Sequence, residues 1–404
     1  MATLFTPLAI ANGRIQLRHR VVMAPMTRNR GVLYEGEHDV PGDVWLADDV
    51  VAQYYSQRAS PGGLLITEGM PPSLEAAGMP NVPGLFHDAQ HAGWKAVVDA
   101  VHAHGGYIYA QLWHAGRATI PHFTGGPGTN VSASSVPWEN PDETYPFRTR
   151  DAAKEKIKYA DYPSTAMTDV HIAQTTADFV RAARTALALG FDGIEINGGN
   201  GNLLDQFLHS NLNLRTDAYG RSVEARCKFP LDVIAAVVEA VDGAGNVGVR
   251  LEPTGLYQGS RGGERVETWS YLCEQLAAKY GRRTGQVLSY VHFIEPRFDR
   301  IDADAETAAA FRKSWSSSSP DLPISNEPFR AILAAAGIPT IVCGGGWTTG
   351  AEVESKELQG GGWDAVAFAR QFVSNPDLPE RLRLGKPLAV PDRSRFYGSW
   401  DGVH

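Results

Sequence analysis

The stretch ADFVRAARTALALGFDGIEINGGNGN, residues 177–202, carries the decision about the fold. Its first half sets Ala177, Val180, Ala183 and Leu187 at three- and four-residue spacing, the period of one helix face, and Gly190 follows as the stop. Its second half is a short apolar run, Gly193–Ile196, that breaks off into Asn197-Gly198-Gly199-Asn200-Gly201-Asn202. Helix, glycine stop, apolar strand, polar exit is the unit of a parallel sheet whose strands leave the core at a functional rim.

Working outward, the unit recurs in both directions. Short apolar strands are read at Val21–Ala24, Leu64–Thr67, Tyr107–Leu112, Gly193–Ile196, Val247–Leu251, Val291–Phe293, Pro339–Val342 and Ala365–Phe368. A second helical stripe, Val266, Trp269, Leu272, Cys273 and Leu276, runs to Gly281. Eight such units fit a (β/α)8 TIM barrel better than an open doubly wound sheet. At roughly 150 residues per domain, 404 residues would make two or three. A barrel with insertions absorbs them as one, so 1–404 is read as a single domain. Residues 114–167 interrupt the rhythm with Gly, Pro, Ser and Thr and a charged patch at Arg148–Lys158. They follow the third strand, so they are expected as a lid-like excursion over the C-terminal face.

The composition, 43% hydrophobic and 20% charged, is that of a globular protein. Against 45 acidic residues stand 37 basic ones, a net charge of −8, which argues against nucleic acid or an anionic membrane as the main partner. Cys227, Cys273 and Cys343 are odd in number and widely spaced, which excludes a disulfide framework and a structural zinc site. No run approaches the ~18 apolar residues of a membrane span, and the N-terminus has no signal-peptide pattern. A cytoplasmic protein acting on a small molecule is the expectation. A homodimer is compatible with the chain, though no residue argues for one.

Chemistry collects at the strand exits. The first strand gives Ala24-Pro25-Met26-Thr27-Arg28, the second Thr67-Glu68-Gly69, and the third Gln111-Leu112-Trp113-His114-Ala115-Gly116-Arg117. The fifth gives Arg250-Leu251-Glu252-Pro253, the seventh Gly344-Gly345-Gly346, and the eighth Ala369-Arg370. Glycines after a strand free backbone N–H groups for a phosphate, and Arg370 adds charge-assisted bonds. Gly360-Gly361-Gly362 resembles a dinucleotide fingerprint only loosely and precedes a strand, where that motif must follow one. The P-loop, the GxSxG elbow and HExxH are missing, and His102 and His104 read as residues at a helix end.

Taken in order, Ala24 to Arg28, Gln111 to Arg117, Asp205-Gln206-Phe207-Leu208, Arg215 to Gly220 and Asn375 to Arg381 resemble the Old Yellow Enzyme family. Those are FMN-dependent ene-reductases, and the resemblance runs from Leu4 to about Tyr397. It implies a barrel with FMN across its C-terminal mouth and NADPH as hydride donor. It also implies that Thr27 bonds the flavin O4, with Pro25 and Met26 on the same edge and Gln111 on the pyrimidine ring. By the same resemblance Gly69 lets the ring lie close, Arg250 stands beside N1 and O2, and Gly345, Gly346, Ala369 and Arg370 cradle the phosphate. Taken alone, Arg250 reads as half of a barrel-interior ion pair. Trp113, Tyr257 and Tyr397 fall on the substrate side.

The resemblance breaks at one point. The family ends its fourth strand in His-x-x-Asn or His-x-x-His, with a tyrosine two residues on as proton donor. Here those positions are Asn197, Asn200 and Asn202. An amide still donates N–H bonds to a carbonyl oxygen but cannot act as a general acid near neutral pH. Three readings follow: a reductase whose proton comes from water, Tyr257, Tyr290 or Tyr397; a redox-neutral flavin-dependent isomerase; and a desaturase. Met79, where the family often has a tyrosine, and Tyr257, where it has a phenylalanine, point to a pocket shaped for a larger substrate.

Overall fold

The structure, a computed structural model, describes residues 2–147, 156–319, 321–344 and 349–398. Eight strands close into a parallel barrel: β1 (Val21–Met23), β2 (Leu64–Ile66), β3 (Tyr107–Leu112), β4 (Gly193–Gly198), β5 (Val247–Leu251), β6 (Tyr290–Ile294), β7 (Thr340–Cys343) and β8 (Ala365–Phe368). β8 pairs with β1 and closes the ring. Each expected strand is present within two residues of its expected ends. The antiparallel hairpin Leu8–Ile10 with Ile15–Leu17, which no sequence pattern announced, packs Ile10, Ile15 and Leu17 into the barrel interior and plugs it from below.

The interior is filled by alternate residues of each strand. Tyr109 of β3 and Tyr290 of β6 lie ring to ring, with centroids 5.5 Å apart. They fit because two neighbours are glycine. A Cβ on Gly193 would stand 2.4 Å from Tyr109 Cζ, and one on Gly248 2.5 Å from Tyr290 Cζ. Above this aromatic layer the inward positions turn polar: Gln111, Glu195, Asn197, Arg250 and His292. The register sets Glu195 beside Gln111, Asn197 beside Arg250, and Arg250 beside His292.

Helices surround the ring. Helix Asp169–Ala188 begins in a reciprocal cap, in which His171 N–H donates to Thr168 Oγ1 and Thr168 N–H to His171 Nδ1. Its buried face is Ile172, Phe179, Ala182, Ala183 and Ala186, whereas Ala177 is exposed and Val180 and Leu187 are half-buried. The helix is therefore where it was expected, but turned: of the four expected contacts only Ala183 is fully buried. Helix Arg265–Tyr280 buries Trp269, Leu272, Cys273 and Leu276 as expected, with Val266 half-buried.

The segment after β3 carries the short helix Pro121–Thr124 and two-residue strands Val131–Ser132 and Thr165–Ala166, which pair in parallel. It has a small core of its own, with Ile120, Phe123, Tyr145 and Tyr159 buried and Trp138 stacked on Tyr159 at 4.1 Å. Most of the patch Arg148–Lys158 lies outside the described residues. Among the described residues, no helix is long and apolar enough to cross a membrane, and no group of three or more His, Cys, Asp or Glu could hold a metal ion.

Candidate active site

A cavity of about 610 Å³ opens at the C-terminal ends of the strands. Its wall takes Pro25, Met26 and Thr27 from the β1 exit, Gly69 after β2, and Gln111 and Trp113 from the end of β3. Asn197, Asn200 and Asn202 follow from β4, Tyr257 from beyond β5, Ala369 and Arg370 from the β8 exit, and Tyr397 from the tail. Every described residue assigned to the cofactor, the amide row or the substrate side thus meets at one mouth, except Arg250, which lies beneath the wall. Gly345 and Gly346 lie outside the described residues.

The floor is a chain of buried polar groups. Gln111 Nε2 donates to Glu195 Oε1 at 2.6 Å, and Glu195 Oε2 is 2.9 Å from His292 Nδ1. Arg250 Nη1 lies 3.1 Å from His292 Nε2, and Asn197 Nδ2 donates to Gln111 Oε1 at 3.3 Å. Burial would raise the Glu195 carboxyl, but His292, Arg250 and Gln111 hold it below its ordinary value. Burial, with Arg250 adding to it, pushes His292 down to about 4 against the pull of Glu195. Arg250 therefore does belong to an interior polar network, while its Nε is buried and without a partner.

Above the floor stands a row of amides. Asn197 Oδ1 accepts from Gly199 N at 2.9 Å, and with one amide N–H on Gln111 the second has no described partner. Asn200 has φ +60° and donates through both N and Nδ2 to Glu252 Oε2. Asn202 is the N-cap of helix Leu203–Leu208 but makes no side-chain cap bond. Asp205 accepts from Gly201 N at 2.9 Å, and Asn202 lines the cavity.

The walls explain several residue choices. A Cβ on Gly69 would fall 2.5 Å from the Trp113 indole, so glycine is required there by the indole itself. Pro146 and Phe147 of the excursion line the cavity, and Tyr145 O–H donates to the Gly78 carbonyl, next to Met79 in the wall. The tail is held by Arg28, whose guanidinium donates to the carbonyls of Phe396 (2.8 Å) and Arg395 (2.9 Å), seating Tyr397 against Phe147. Tyr290, considered above as a proton source, is sealed in the barrel's aromatic layer and does not reach the cavity.

Reading the strand exits alone passed over Glu195, His292 and the task of Arg28. Two signals were available. Glu195 sits two residues before Asn197 and so shares its face of the strand, and a histidine inside an apolar β6 needs a buried partner. Glu68, fully buried behind the β1 exit, accepts from Arg28 N at 3.1 Å and is pushed up to about 7 by burial.

Residues 3–389 match the model of the NADH:flavin oxidoreductase / NADH oxidase family. The chain is 42% identical to the flavin oxidoreductase hxnT of Emericella nidulans over 98% of this chain and 94% of that protein. It is 38% identical to the chanoclavine-I aldehyde reductase fgaOx3 of Penicillium roqueforti, over 98% and 93%. Among solved structures it resembles morphinone reductase in complex with tetrahydroNAD, with TM-score 0.77, 35% identity and coverage of 99% and 96%. An Old Yellow Enzyme homologue from Zymomonas mobilis gives TM-score 0.79 at 29% identity, over 99% and 98%.

Proposed function

The chain belongs to the NADH:flavin oxidoreductase / NADH oxidase family, that of the Old Yellow Enzymes, and we propose that it reduces the carbon–carbon double bond of an α,β-unsaturated carbonyl compound of secondary metabolism, with NADPH as hydride source. It is an FMN-dependent oxidoreductase. The observation that carries the reading is one cavity in which Thr27, Gln111, Asn197, Asn200 and Arg370 converge. The residues fit the cofactor: the volume lies in the range of ligand sites, the Arg250 Nε and Trp113 Nε1 are buried without partners, and Gln111 and Arg370 line the wall. Thr27, Gln111, Arg250 and Arg370 would hold FMN. When bound, it supplies the two-electron carrier between nicotinamide and alkene.

The chain's own part is binding and polarisation. Asn197, with a spare N–H, and Asn200 bind the carbonyl oxygen as neutral donors, which draws electron density from the alkene. Asn202 gives no proton. The α-carbon is protonated by water entering the mouth or by Tyr257 or Tyr397, both in the wall. Phe147 and Tyr397 form an aromatic edge of the pocket.

Asn202 also favours a second reading. With an uncommitted amide where an acid would stand, hydride can leave and return without net reduction, as a redox-neutral isomerase requires. One experiment separates the two. The purified protein is reduced anaerobically with NADPH, cyclohexenone is added, and the flavin spectrum and product mass are followed. Bleaching and return of colour, with a product two hydrogens heavier, is the expected result. Bleaching without return moves the assignment to isomerisation, and a colourless protein ends both.

A further inference from the structure

Behind Asn200 lies a carboxyl group the mechanism above does not use. Glu252, the residue after β5, is 1% exposed and lies outside the cavity wall. Its Oε2 accepts from Asn200 N at 2.7 Å and from Asn200 Nδ2 at 3.3 Å. The fit around it is tight. A Cβ on Gly199 would stand 2.9 Å from Glu252 Cβ, and one on Gly255 2.9 Å from Glu252 Oε2. Glu252 thus braces the turn in which Asn200 takes its left-handed backbone.

We infer that Glu252 is the positioning residue of the amide clamp, its protonation deciding whether Asn200 turns its NH2 or its carbonyl oxygen to the cavity. The inference rests on the reading that Asn197 and Asn200 bind the substrate oxygen. An ionised carboxylate can only accept, so it takes one N–H of the Asn200 amide and keeps the NH2 edge turned towards itself, with Oδ1 on the other edge. A protonated carboxyl can donate to Asn200 Oδ1, and the turned amide then offers its NH2 to the substrate oxygen.

The surroundings place this exchange in the neutral range. Burial first, then Asp205 from helix Leu203–Leu208, push Glu252 up to about 7. Asn200 N–H, Arg250 on β5 and Arg265 on helix Arg265–Tyr280 pull the other way. Arg265 is itself spent on the carbonyls of Pro253, Gly255 and Ser260, and Asp205 has His209 at 3.5 Å behind it.

The test uses the FMN-loaded full chain and cyclohexenone, a probe that does not titrate. Its dissociation constant is read from the flavin absorbance shift between about pH 5.5 and about pH 8.5. In the wild type affinity is expected to fall roughly tenfold as pH rises through neutrality, the worth of one hydrogen bond. Glu252→Gln keeps volume and acceptor but cannot titrate, so its profile is flat, and Asn200→Ala is flat as well. A step that survives in either variant overturns the inference, as does an equal loss at every pH in Glu252→Gln, which would mark a merely structural role. If Glu252→Gln does not fold, Asn200→Ala alone decides by the same criterion. Wild-type binding without a step overturns the inference but leaves the functional reading, whereas no binding at any pH overturns both.

Discussion

Asn202 concentrates the chemistry in one side chain. It caps a helix without using its amide for the cap, so replacing it costs that helix no side-chain bond. Asn202→Tyr is expected to raise turnover of cyclohexenone, by up to roughly a hundredfold if the phenol reaches the α-carbon, since a positioned general acid contributes on that order. Stopped-flow reoxidation of the reduced flavin measures this step directly, and an unchanged rate would show that proton supply is not limiting. Asn197 calls for the opposite change. Asn197→Ala removes the donor with the spare N–H and its bond to Gln111, and should weaken enone binding by roughly tenfold with flavin content unchanged. Unchanged binding would remove Asn197 from the clamp. The rim residues were legible because polar types at the end of an apolar run have few structural uses. Glu195 and His292 were harder, because a polar residue inside a strand signals that it has a buried partner but does not name it until the register does.

Among elements, the strands were easier to read than the helices, for a physical reason. A strand buried on both faces must be apolar throughout, and it stops where solvent or function begins. Helix Asp169–Ala188 carries so many alanines that two neighbouring stripes look equally apolar. Packing selected the one with Phe179, which bulk alone could have favoured. The hairpin Leu8–Ile10 with Ile15–Leu17 escaped because three-residue strands carry no measurable period. Its role follows from the layer above it, where Tyr109 and Tyr290 occupy the space of the side chains that Gly193 and Gly248 lack. Gly193→Ala should destabilise the barrel by about 1–3 kcal/mol through overpacking. The cost should shrink in a Tyr109→Leu background, read as a non-additive pair in urea unfolding. Strict additivity would mean that the ring does not set the need for glycine.

For the whole molecule, buried titratable groups set how stability responds to pH. Burial chiefly pushes Glu68, Glu252 and Glu295 up to about 7. It also drives His19 and His292 down to about 4 and lowers His209. Each of these carboxyls binds its proton more tightly folded than unfolded. Their contribution is fully present below the unfolded value of 4.5 and is lost as pH rises to about 7. The histidines act the other way: their contribution is present above 6.5 and is lost as pH falls towards 4. The two sets oppose one another across the mildly acidic range, so the melting temperature of the wild type should change little there. Glu252→Gln unbalances them. It removes one loss that grows between pH 4.5 and about 7, on the order of 3 kcal/mol at full extent. The variant's melting temperature relative to wild type should therefore climb as pH is raised from about 5 to about 8, whatever its absolute value at either end. Scanning calorimetry of the two proteins side by side measures that difference. A gap that stays constant would mean that Glu252 ionises in the fold as it does in the unfolded chain, and the buried carboxyl behind Asn200 would then be no brake on stability at neutral pH.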